Sequence, residues 1–256
     1  MGNTILPVPD APATRLRAMA AWTGALLLAV ALQMEPAQAG VASSSGSELG
    51  SQAASGDSRL ADFKGESASA EVRRIAHWAL HSGDNAGMPY LIVDKVEARV
   101  FVFDPRGQLQ GVGPALLGME RGDGTAAGVG KRAISAIAPQ ERTTPAGRFV
   151  ASLAPDLKGQ EILWIDYDNA LALHRVAKGK PAERRAERLQ SATAMDNRIS
   201  YGCINVPVAF YERVVSPAFT HSSGVVYILP ETRAAQEVFG SYEVDPGRQS
   251  PDSSQH

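Results

Sequence analysis

The chain has 256 residues, of which 44% are hydrophobic and 20% are charged, and its formal net charge is −2. This composition is sufficient for one domain with a sizeable core, and it argues against nucleic acid or a charged membrane surface as a partner. The single cysteine, Cys203, excludes a disulfide bond within the chain.

The first 39 residues have the features of a secretory signal peptide. Arg15 and Arg17 give a positive start, residues 18–32 form an uncharged apolar stretch, and Ala37-Gln38-Ala39 matches a cleavage site. The apolar stretch is shorter than the ~20 residues that a membrane span needs. We therefore expect export without a lasting membrane anchor, and an uncleaved anchoring helix is the alternative.

Composition divides the remainder of the chain into three parts. Residues 40–70 are rich in Ser, Gly and Ala, which predicts a flexible leader that lacks the apolar side chains for a core. Apolar runs recur through residues 71–240 and predict a single folded domain. The polar residues 241–256 predict a disordered tail.

Short apolar and alternating runs predict a mainly β domain of the sandwich or barrel type with a few peripheral helices. A turn over residues 104–107 would join two paired strands. The predicted strands, in chain order, are residues 91–93, 96–103, 108–112, 148–153, 161–166, 170–174 and 224–229.

Three segments predict helices: residues 70–81, 181–191 and 206–215. The last of them follows Cys203 closely. A helix there would place the thiol near a helix N-terminus, where the helix dipole lowers a thiol pKa.

Two apparent motifs lack residues that their chemistry needs. Residues 124–132 resemble a phosphate-binding loop, but Thr125 and Arg132 replace its first glycine and its final Ser or Thr. His77 and His81 have the spacing of two zinc ligands, but no third ligand is near them and the glutamate of a metalloprotease is missing. We therefore expect a surface loop and a plain helix face, with no metal and no cofactor.

Cys203 lies in the segment Ser200-Tyr201-Gly202-Cys203-Ile204-Asn205. A nucleophilic thiol needs a base, because only about 3% is thiolate at neutral pH when the pKa is near 8.5. His174 and His221 are the obvious candidates. Gly202 would let the chain turn sharply and approach a substrate closely. A buried structural cysteine is the alternative interpretation of these residues.

This segment, with His174 upstream, resembles the active-site signature of the L,D-transpeptidase (YkuD-type) family: a histidine, then Ser/Thr-His-Gly-Cys-x-Asn/Arg. Thr144-Pro145-Ala146-Gly147-Arg148-Phe149 resembles the Thr-Pro-x-Gly-x-Phe segment of the same family. The resemblance covers residues 89–229. It departs from the family pattern at Tyr201, which replaces a histidine, and in the long interval between His174 and Ser200.

The resemblance implies a bacterial cell-wall enzyme of the periplasm that acts on peptidoglycan stem peptides. Cys203 would attack the bond between an L-centre diamino acid and a D-amino acid, and His174 would serve as base and then as acid. An amine of another stem would resolve the thioester and form a cross-link. We expect a monomer.

The other motif residues acquire supporting roles from the resemblance. The backbone carbonyl of Ser200 or Tyr201 would orient His174, and the N–H groups of Gly202 and Cys203 would form an oxyanion hole. Tyr201 would also line the substrate groove.

Asn205 and Arg198 complete the expected substrate-binding set, although Asn205 is better suited to fixing the turn. The insert from Arg175 to Ile199 is expected to form a lid between His174 and Cys203. Its arginines could meet stem-peptide carboxylates, with most of the charges solvated.

Two other functions stay open at this point. One is a hydrolase of the same fold that uses water as the acceptor, and the other is a non-catalytic protein that binds the cell wall. The presence of both Cys203 and His174 favours catalysis.

Overall fold

The computed structural model describes residues 60–245. The predicted signal peptide, most of the predicted leader and residues 246–256 of the predicted tail lie outside this range. No helix within residues 60–245 has both the length and the apolar character to cross a membrane.

The described chain is mainly β with few helices, which confirms the predicted class. Each predicted strand is present, with ends that differ by up to three residues. In chain order the strands are β1 (Tyr90–Asp94), β2 (Arg99–Phe103), β3 (Leu109–Pro114), β4 (Leu117–Gly118), β5 (Gly147–Pro155), β6 (Glu161–Asp166), β7 (Leu171–Arg175), β8 (Arg198–Ser200), β9 (Ile204–Val206) and β10 (Gly224–Ile228).

The helices are short except for the first one. They are α1 (Ala70–Ser82), α2 (Arg185–Arg188), α3 (Val208–Phe210), α4 (Ser216–Phe219) and α5 (Ala235–Phe239), and a π-helical stretch (Tyr211–Val215) joins α3 to α4. Single 3₁₀ turns are Val129–Lys131, Ile134–Ala136, Pro139–Glu141, Pro181–Glu183 and Ala194–Asn197.

Eight strands form one sheet in the order β3-β2-β1-β10-β5-β6-β7-β9. The pairs β1–β10 and β7–β9 are parallel, and the other pairs are antiparallel. Leu116, just after β3, exchanges two backbone hydrogen bonds with Asn205 of β9, at 2.7 and 2.9 Å. The sheet therefore nearly closes on itself, and β4 and β8 form a separate parallel pair beside this junction.

One core lies on the face of the sheet that packs against the α3–α4 segment. Its buried side chains include Leu91, Val100, Leu163, Leu173, Ile204, Tyr211, Val215, Phe219 and Val226. Because Leu173 and Ile204 face this core, the residues next to them in β7 and β9 face the opposite side of the sheet, where the candidate site lies.

A second core joins the other face of β1, β2 and β10 to α1. Ser69 caps this helix by accepting a hydrogen bond from the backbone N–H of Val72 at 3.3 Å, and Gly83 ends it in the left-handed conformation. Ile75 and Trp78 are buried here, the latter edge-on to Tyr227.

Both ends of the folded region extend beyond the predicted boundaries. Ala61 and Phe63 are buried, and the Phe63 ring packs edge-on against Phe103. At the other end Ser241 is buried and Val244 packs on the same core. Composition missed these segments because single apolar residues within polar stretches anchor them.

Two helix predictions need correction. The predicted helix over residues 181–191 is broken at Arg184, which has a left-handed φ of 49°, into a 3₁₀ turn and the single turn α2. The predicted helix over residues 206–215 begins only at Val208, because Val206 belongs to β9 and pairs with Arg175.

Candidate active site

Cys203 follows a tight turn that hydrogen bonds of Ser200 hold in place. Ser200 Oγ donates to the Cys203 carbonyl at 2.6 Å and accepts from the Gly202 N–H at 3.1 Å. Gly202 has a φ of +131°, and a Cβ there would meet the Thr143 carbonyl at 2.8 Å. The glycine is therefore required both for the conformation and for the close approach.

The Thr-Pro-x-Gly segment supports this turn from the other side. Thr144 is fully buried, and its Oγ1 donates to the Gly202 carbonyl at 2.8 Å while accepting from the Gly118 N–H at 2.8 Å. The two sequence segments that carry the family resemblance are thus joined directly.

The Cys203 thiol donates a weak hydrogen bond to the Ala170 carbonyl at 3.4 Å. Burial raises the pKa of this thiol, and a hydrogen bond from the Ala172 backbone opposes the rise. The prediction of a thiol activated at a helix N-terminus is wrong, because the strand β9, and not a helix, follows the cysteine. The thiol is neutral in this state.

His174 lies on the strand next to the cysteine. β7 pairs with β9 so that His174 is opposite Asn205, and Cys203, two residues before Asn205, faces the same side. His174 Nδ1 is 2.8 Å from the Arg175 carbonyl. Since a carbonyl only accepts, Nδ1 carries the proton, and Nε2 of the neutral imidazole has a free lone pair.

The environment of His174 keeps it neutral. Burial is the main cause that lowers the pKa of its imidazole, and the positive charge of Arg185 lowers it further. The hydrogen bond to Arg175 and the charge of Asp156 act in the opposite direction but are outweighed. Within residues 60–245, His174 is hydrogen-bonded to the Arg175 carbonyl and Cys203 to the Ala170 carbonyl, and no hydrogen bond joins the two side chains to each other.

The structure changes part of the prediction about which carbonyl orients His174 and which N–H groups could bind the oxyanion. The Ser200 carbonyl accepts from the Met119 N–H at 3.0 Å, and the carbonyl that orients His174 is that of Arg175. The Gly202 N–H is occupied by Ser200 Oγ. The Cys203 N–H is therefore the remaining candidate of the two predicted oxyanion donors.

A cavity of about 150 Å³ opens beside Cys203 and Tyr201. Much of its wall belongs to residues 125–143, here called the covering segment. This segment contacts the β6–β7 turn so closely that a Cβ on Gly130 would collide with the Asp168 carbonyl. His174 and the insert contribute nothing to this wall. Its lining residues in the covering segment are Thr125, Ala126, Val129, Gly130, Arg132, Ile134, Ile137, Glu141 and Thr143.

Tyr201 is partly buried and lines this cavity. The guanidinium carbon of Arg142 lies 4.0 Å from the centre of its ring, a cation–π geometry. Arg142 is itself fixed by two hydrogen bonds to the Ile137 carbonyl, at 3.1 and 3.0 Å. The tyrosine ring therefore joins the cysteine turn to the covering segment.

The insert reaches the site through one arginine. Arg185 Nη1 donates to Asn205 Oδ1 at 3.0 Å, and Arg185 Nε pairs with Glu183 at 2.6 Å. Asn205 Nδ2 donates to the Cys203 carbonyl at 3.1 Å. Asn205 is buried and fixes the turn, and it does not line the cavity, so the structure does not support a substrate contact for it.

Arg198 is not in the cavity either. Its guanidinium pairs with Glu231 at 2.6 Å and donates to the Lys95 carbonyl at 2.8 Å, and its side chain is only 6% exposed. Lys95 is buried and donates to Asp123 at 2.8 Å and to the Thr144 carbonyl at 2.9 Å. The expected substrate role of Arg198 is therefore corrected to a structural one.

The remaining histidines of the sequence analysis lie elsewhere. His221 is exposed and does not line the cavity. His77 Nδ1 accepts from the Ala61 N–H at 3.0 Å. Within residues 60–245, no group of three or more His, Cys, Asp or Glu side chains could hold a metal ion.

Comparison with known proteins gives structural likenesses alone. No protein-family model matches the sequence, and no curated protein matches it. The catalytic domain of an E. faecium L,D-transpeptidase matches with 14% identity and a TM-score of 0.33, over 55% of this chain and 96% of that domain. The L,D-transpeptidase LdtMt1 in complex with imipenem matches with 13% identity and a TM-score of 0.31, over 55% of this chain and 58% of the other. At these values the likenesses carry no argument about activity.

Proposed function

We propose that this chain is a peptidoglycan L,D-transpeptidase that transfers an acyl group through a thioester on Cys203. One observation carries the proposal. The only thiol of the chain opens on a cavity from a turn fixed by Ser200 and Thr144, with the free Nε2 side of His174 on the neighbouring strand. A purely structural cysteine would not need this arrangement.

The protonation states favour a general-base route. Cys203 and His174 are both neutral, so His174 Nε2 would take the thiol proton as the sulfur attacks the scissile carbonyl carbon. The sulfur would first turn away from the Ala170 carbonyl. The Cys203 N–H would then receive the oxyanion.

The remaining steps of the reaction return Cys203 and His174 to their neutral states. The imidazolium of His174 gives its proton to the departing amine, which leaves with the terminal D-residue, and a thioester remains on Cys203. An amine of another stem attacks this thioester, gives its extra proton to His174 and releases the thiolate, which takes that proton. The product is a cross-link between two stems.

Location and partners form part of the same proposal. Residues 1–39 support export, and the periplasm is where a peptidoglycan stem would be available. We propose that the protein acts there as a monomer without a membrane anchor after cleavage of the signal peptide.

Purified muropeptides and mass spectrometry test the proposal. Wild-type protein should convert tetrapeptide stems into dimers with loss of the terminal D-residue, and Cys203→Ala should leave them unchanged. Trimmed monomers without dimers would instead establish a hydrolase. Unchanged muropeptides with wild-type protein would contradict catalysis on this substrate, and turnover by Cys203→Ala would contradict the nucleophile.

A further inference from the structure

Two aromatic side chains lie together at the surface, on β6 and the turn that follows it. Tyr167 is 77% exposed, and Trp164 is partly exposed. The centres of their rings are 5.0 Å apart, and the ring planes meet at 59°. The indole N–H of Trp164 donates a long hydrogen bond to the Pro155 carbonyl, at 3.4 Å, which ties the larger ring to β5. Large apolar side chains exposed together, unlike single ones, mark binding surfaces.

This aromatic pair belongs to an uncovered part of the sheet. Over β1, β2 and β10, the same face is buried under α1 in the second core. Val225 of β10 is fully buried there, whereas Val150, its partner on β5, is 56% exposed. The cover of this face therefore ends at β5, and the aromatic pair lies on the open part beyond it.

Strand pairing connects the aromatic pair to the candidate active site. Trp164 pairs with Ala172 of β7. Cys203 lies next to Ala172 on the other side, because the residue after it, Ile204, pairs with Leu173. Paired residues of neighbouring strands point to the same face, so Trp164, Ala172 and Cys203 form one row across the sheet. Neighbouring strands are about 4.8 Å apart, which puts Trp164 about 10 Å from Cys203.

The polar groups around the pair favour a neutral ligand with many hydroxyl groups. Ser152 is exposed opposite Trp164, and its hydroxyl is 2.7 Å from that of Ser223. Two carboxylates, those of Asp166 and Asp168, flank the tyrosine along the chain. Hydroxyls and carboxylates can bond to sugar hydroxyls, whereas the carboxylates repel an anionic ligand.

The aromatic rings supply the second element of sugar recognition. The apolar face of a sugar ring carries C–H groups that are slightly positive, and the face of an aromatic ring is negative. The two surfaces therefore attract each other and also exclude water from both. A carbohydrate fits the rings and the polar groups at once, whereas a purely apolar partner would leave the polar groups unused.

We propose that Trp164 and Tyr167 form a carbohydrate site that binds the glycan of the donor while its stem peptide reaches Cys203. A tetrapeptide stem that loses its last residue keeps three residues between the sugar and the carbonyl that is attacked. Three extended residues span about 10 Å, which matches the distance along the row. The identity of the carbohydrate as peptidoglycan glycan rests on the proposed function. The carbohydrate site itself rests on the aromatic pair and can be tested without turnover.

Calorimetric titration of the full chain with the β-1,4-linked tetramer of N-acetylglucosamine tests the site. Wild-type protein should bind this tetramer. Tyr167→Ala should weaken the binding by about threefold to tenfold, as expected for the loss of one stacking contact. Tyr167→Phe keeps the ring and should keep most of the affinity.

Tyr242→Ala is the matched control and should bind like wild-type protein. Tyr242 is also an exposed tyrosine in contact with another ring, but its neighbour is His81 of α1, away from the row to Cys203. Trp164→Ala should lose more affinity than Tyr167→Ala, because it removes the larger ring. The unfolding midpoint verifies that each variant folds. If Trp164→Ala does not fold, Tyr167→Ala decides, since it removes a mostly exposed side chain.

Acylation of Cys203 distinguishes the glycan from the stem peptide as the ligand of the pair. A disaccharide-tetrapeptide should have a lower KM than the free tetrapeptide and a similar kcat, because the sugar is bound equally before and during the reaction. Tyr167→Ala should reduce this difference and leave the KM of the free tetrapeptide unchanged. An equal rise of KM for both substrates would assign the pair to the stem peptide and overturn the proposal.

No binding of the tetramer to wild-type protein, or equal affinities of wild-type protein and Tyr167→Ala, would also overturn it. A wild-type dimer that becomes a monomer in Tyr167→Ala would assign the surface to a second copy of the chain instead. If the tetramer binds as expected but muropeptides are not converted, the proposed function fails and the carbohydrate site stands. Conversion of muropeptides without binding of the tetramer would support the proposed function and overturn the carbohydrate site.

Discussion

Thr144 Oγ1 donates a hydrogen bond to the carbonyl oxygen of Gly202, 58 residues further along the chain, at 2.8 Å. The same hydroxyl accepts from the Gly118 N–H, so one buried side chain satisfies two backbone groups of different segments. Lys95 in turn donates to the Thr144 carbonyl. The turn before Cys203 is therefore connected through Thr144 to Lys95 and to its buried ion pair with Asp123.

Thr144→Val should weaken both the fold and the turn. The variant keeps the shape of the side chain but leaves the Gly202 carbonyl and the Gly118 N–H unpaired, which costs about 1–3 kcal/mol of unfolding free energy. Urea unfolding measures this loss, and the rate of Cys203 alkylation reports the altered turn. Thr144→Ser keeps the hydroxyl and is the control. Equal stability of the valine and serine variants would contradict the role of the hydroxyl.

Arg198→Ala should reduce stability and leave substrate affinity unchanged. Burial alone would raise the pKa of Glu231, but the Gly122 N–H and Arg198 outweigh it and keep the carboxylate ionised. Removing Arg198 takes one partner from the buried Glu231 carboxylate. We expect the free energy of unfolding to fall by about 3 kcal/mol. This is the low end for a broken buried pair, because Lys95 and Arg121 remain close to Glu231.

The matched control is Arg184→Ala in the same insert. Arg184 pairs with Glu187 at the surface, where both side chains are more than half exposed, so its removal should leave the unfolding free energy nearly unchanged. Denaturant unfolding compares the two variants. A raised KM for muropeptides in Arg198→Ala, with unchanged stability, would restore the substrate role that the sequence suggested.

The sequence predicted the mainly β class and the strands with strong apolar patterning, because that pattern is local. It failed for β9, because the three residues Ile204–Val206 are too few for periodicity to distinguish a strand from the start of a helix. The strand forms because it pairs with β7 on one side and with Leu116 on the other. Such pairing joins residues far apart in the chain.

In the candidate site, too, local sequence features were predictable and contacts between distant residues were not. The segment around Cys203 and the candidate base His174 were visible in the sequence, but the groups that fix them were not. Arg198 was expected to contact the substrate, whereas it pairs with Glu231, 33 residues further along the chain. Arg132 stood in a failed phosphate-loop pattern, and only the fold of the covering segment brings it to the cavity.

Tyr201→Phe should retain most of the activity. The tyrosine hydroxyl makes no hydrogen bond to any residue within 60–245, whereas its ring lines the cavity and stacks with Arg142. Phenylalanine keeps this ring, and histidine at this position should be tolerated. Tyr201→Leu loses the cation–π contact, worth about 0.5–1 kcal/mol at a partly exposed site. Rates of acyl-enzyme formation compare the variants, and a hundredfold loss in Tyr201→Phe would contradict the shape role.

His174→Ala should slow formation of the acyl-enzyme by about 10²–10⁴-fold without unfolding the protein, which is the usual effect of losing a general base. His221→Ala is the control, because His221 is exposed and outside the cavity wall. Mass spectrometry of the acyl-enzyme over time gives both rates. A large loss in His221→Ala with little change in His174→Ala would exchange the two assignments.

The pH dependence of this rate tests the state of His174 directly. Burial and Arg185 lower the imidazole pKa below its ordinary value of about 6.5, so the base stays neutral and competent as the pH falls through 6.5. The rate should decline only below that lowered pKa. An acidic limb centred at or above pH 6.5 would contradict the assignment.

Arg185→Gln should move this acidic limb to higher pH. Glutamine can still hydrogen-bond Asn205 Oδ1, but it lacks the positive charge that disfavours the imidazolium, so the pKa of His174 rises. Arg184→Gln removes an exposed charge that has no part in lowering this pKa, and its limb should stay in place. A pH profile of acyl-enzyme formation for the two variants distinguishes them. If the acidic limb has the same midpoint in Arg185→Gln and in wild-type protein, protonation of His174 is not its cause.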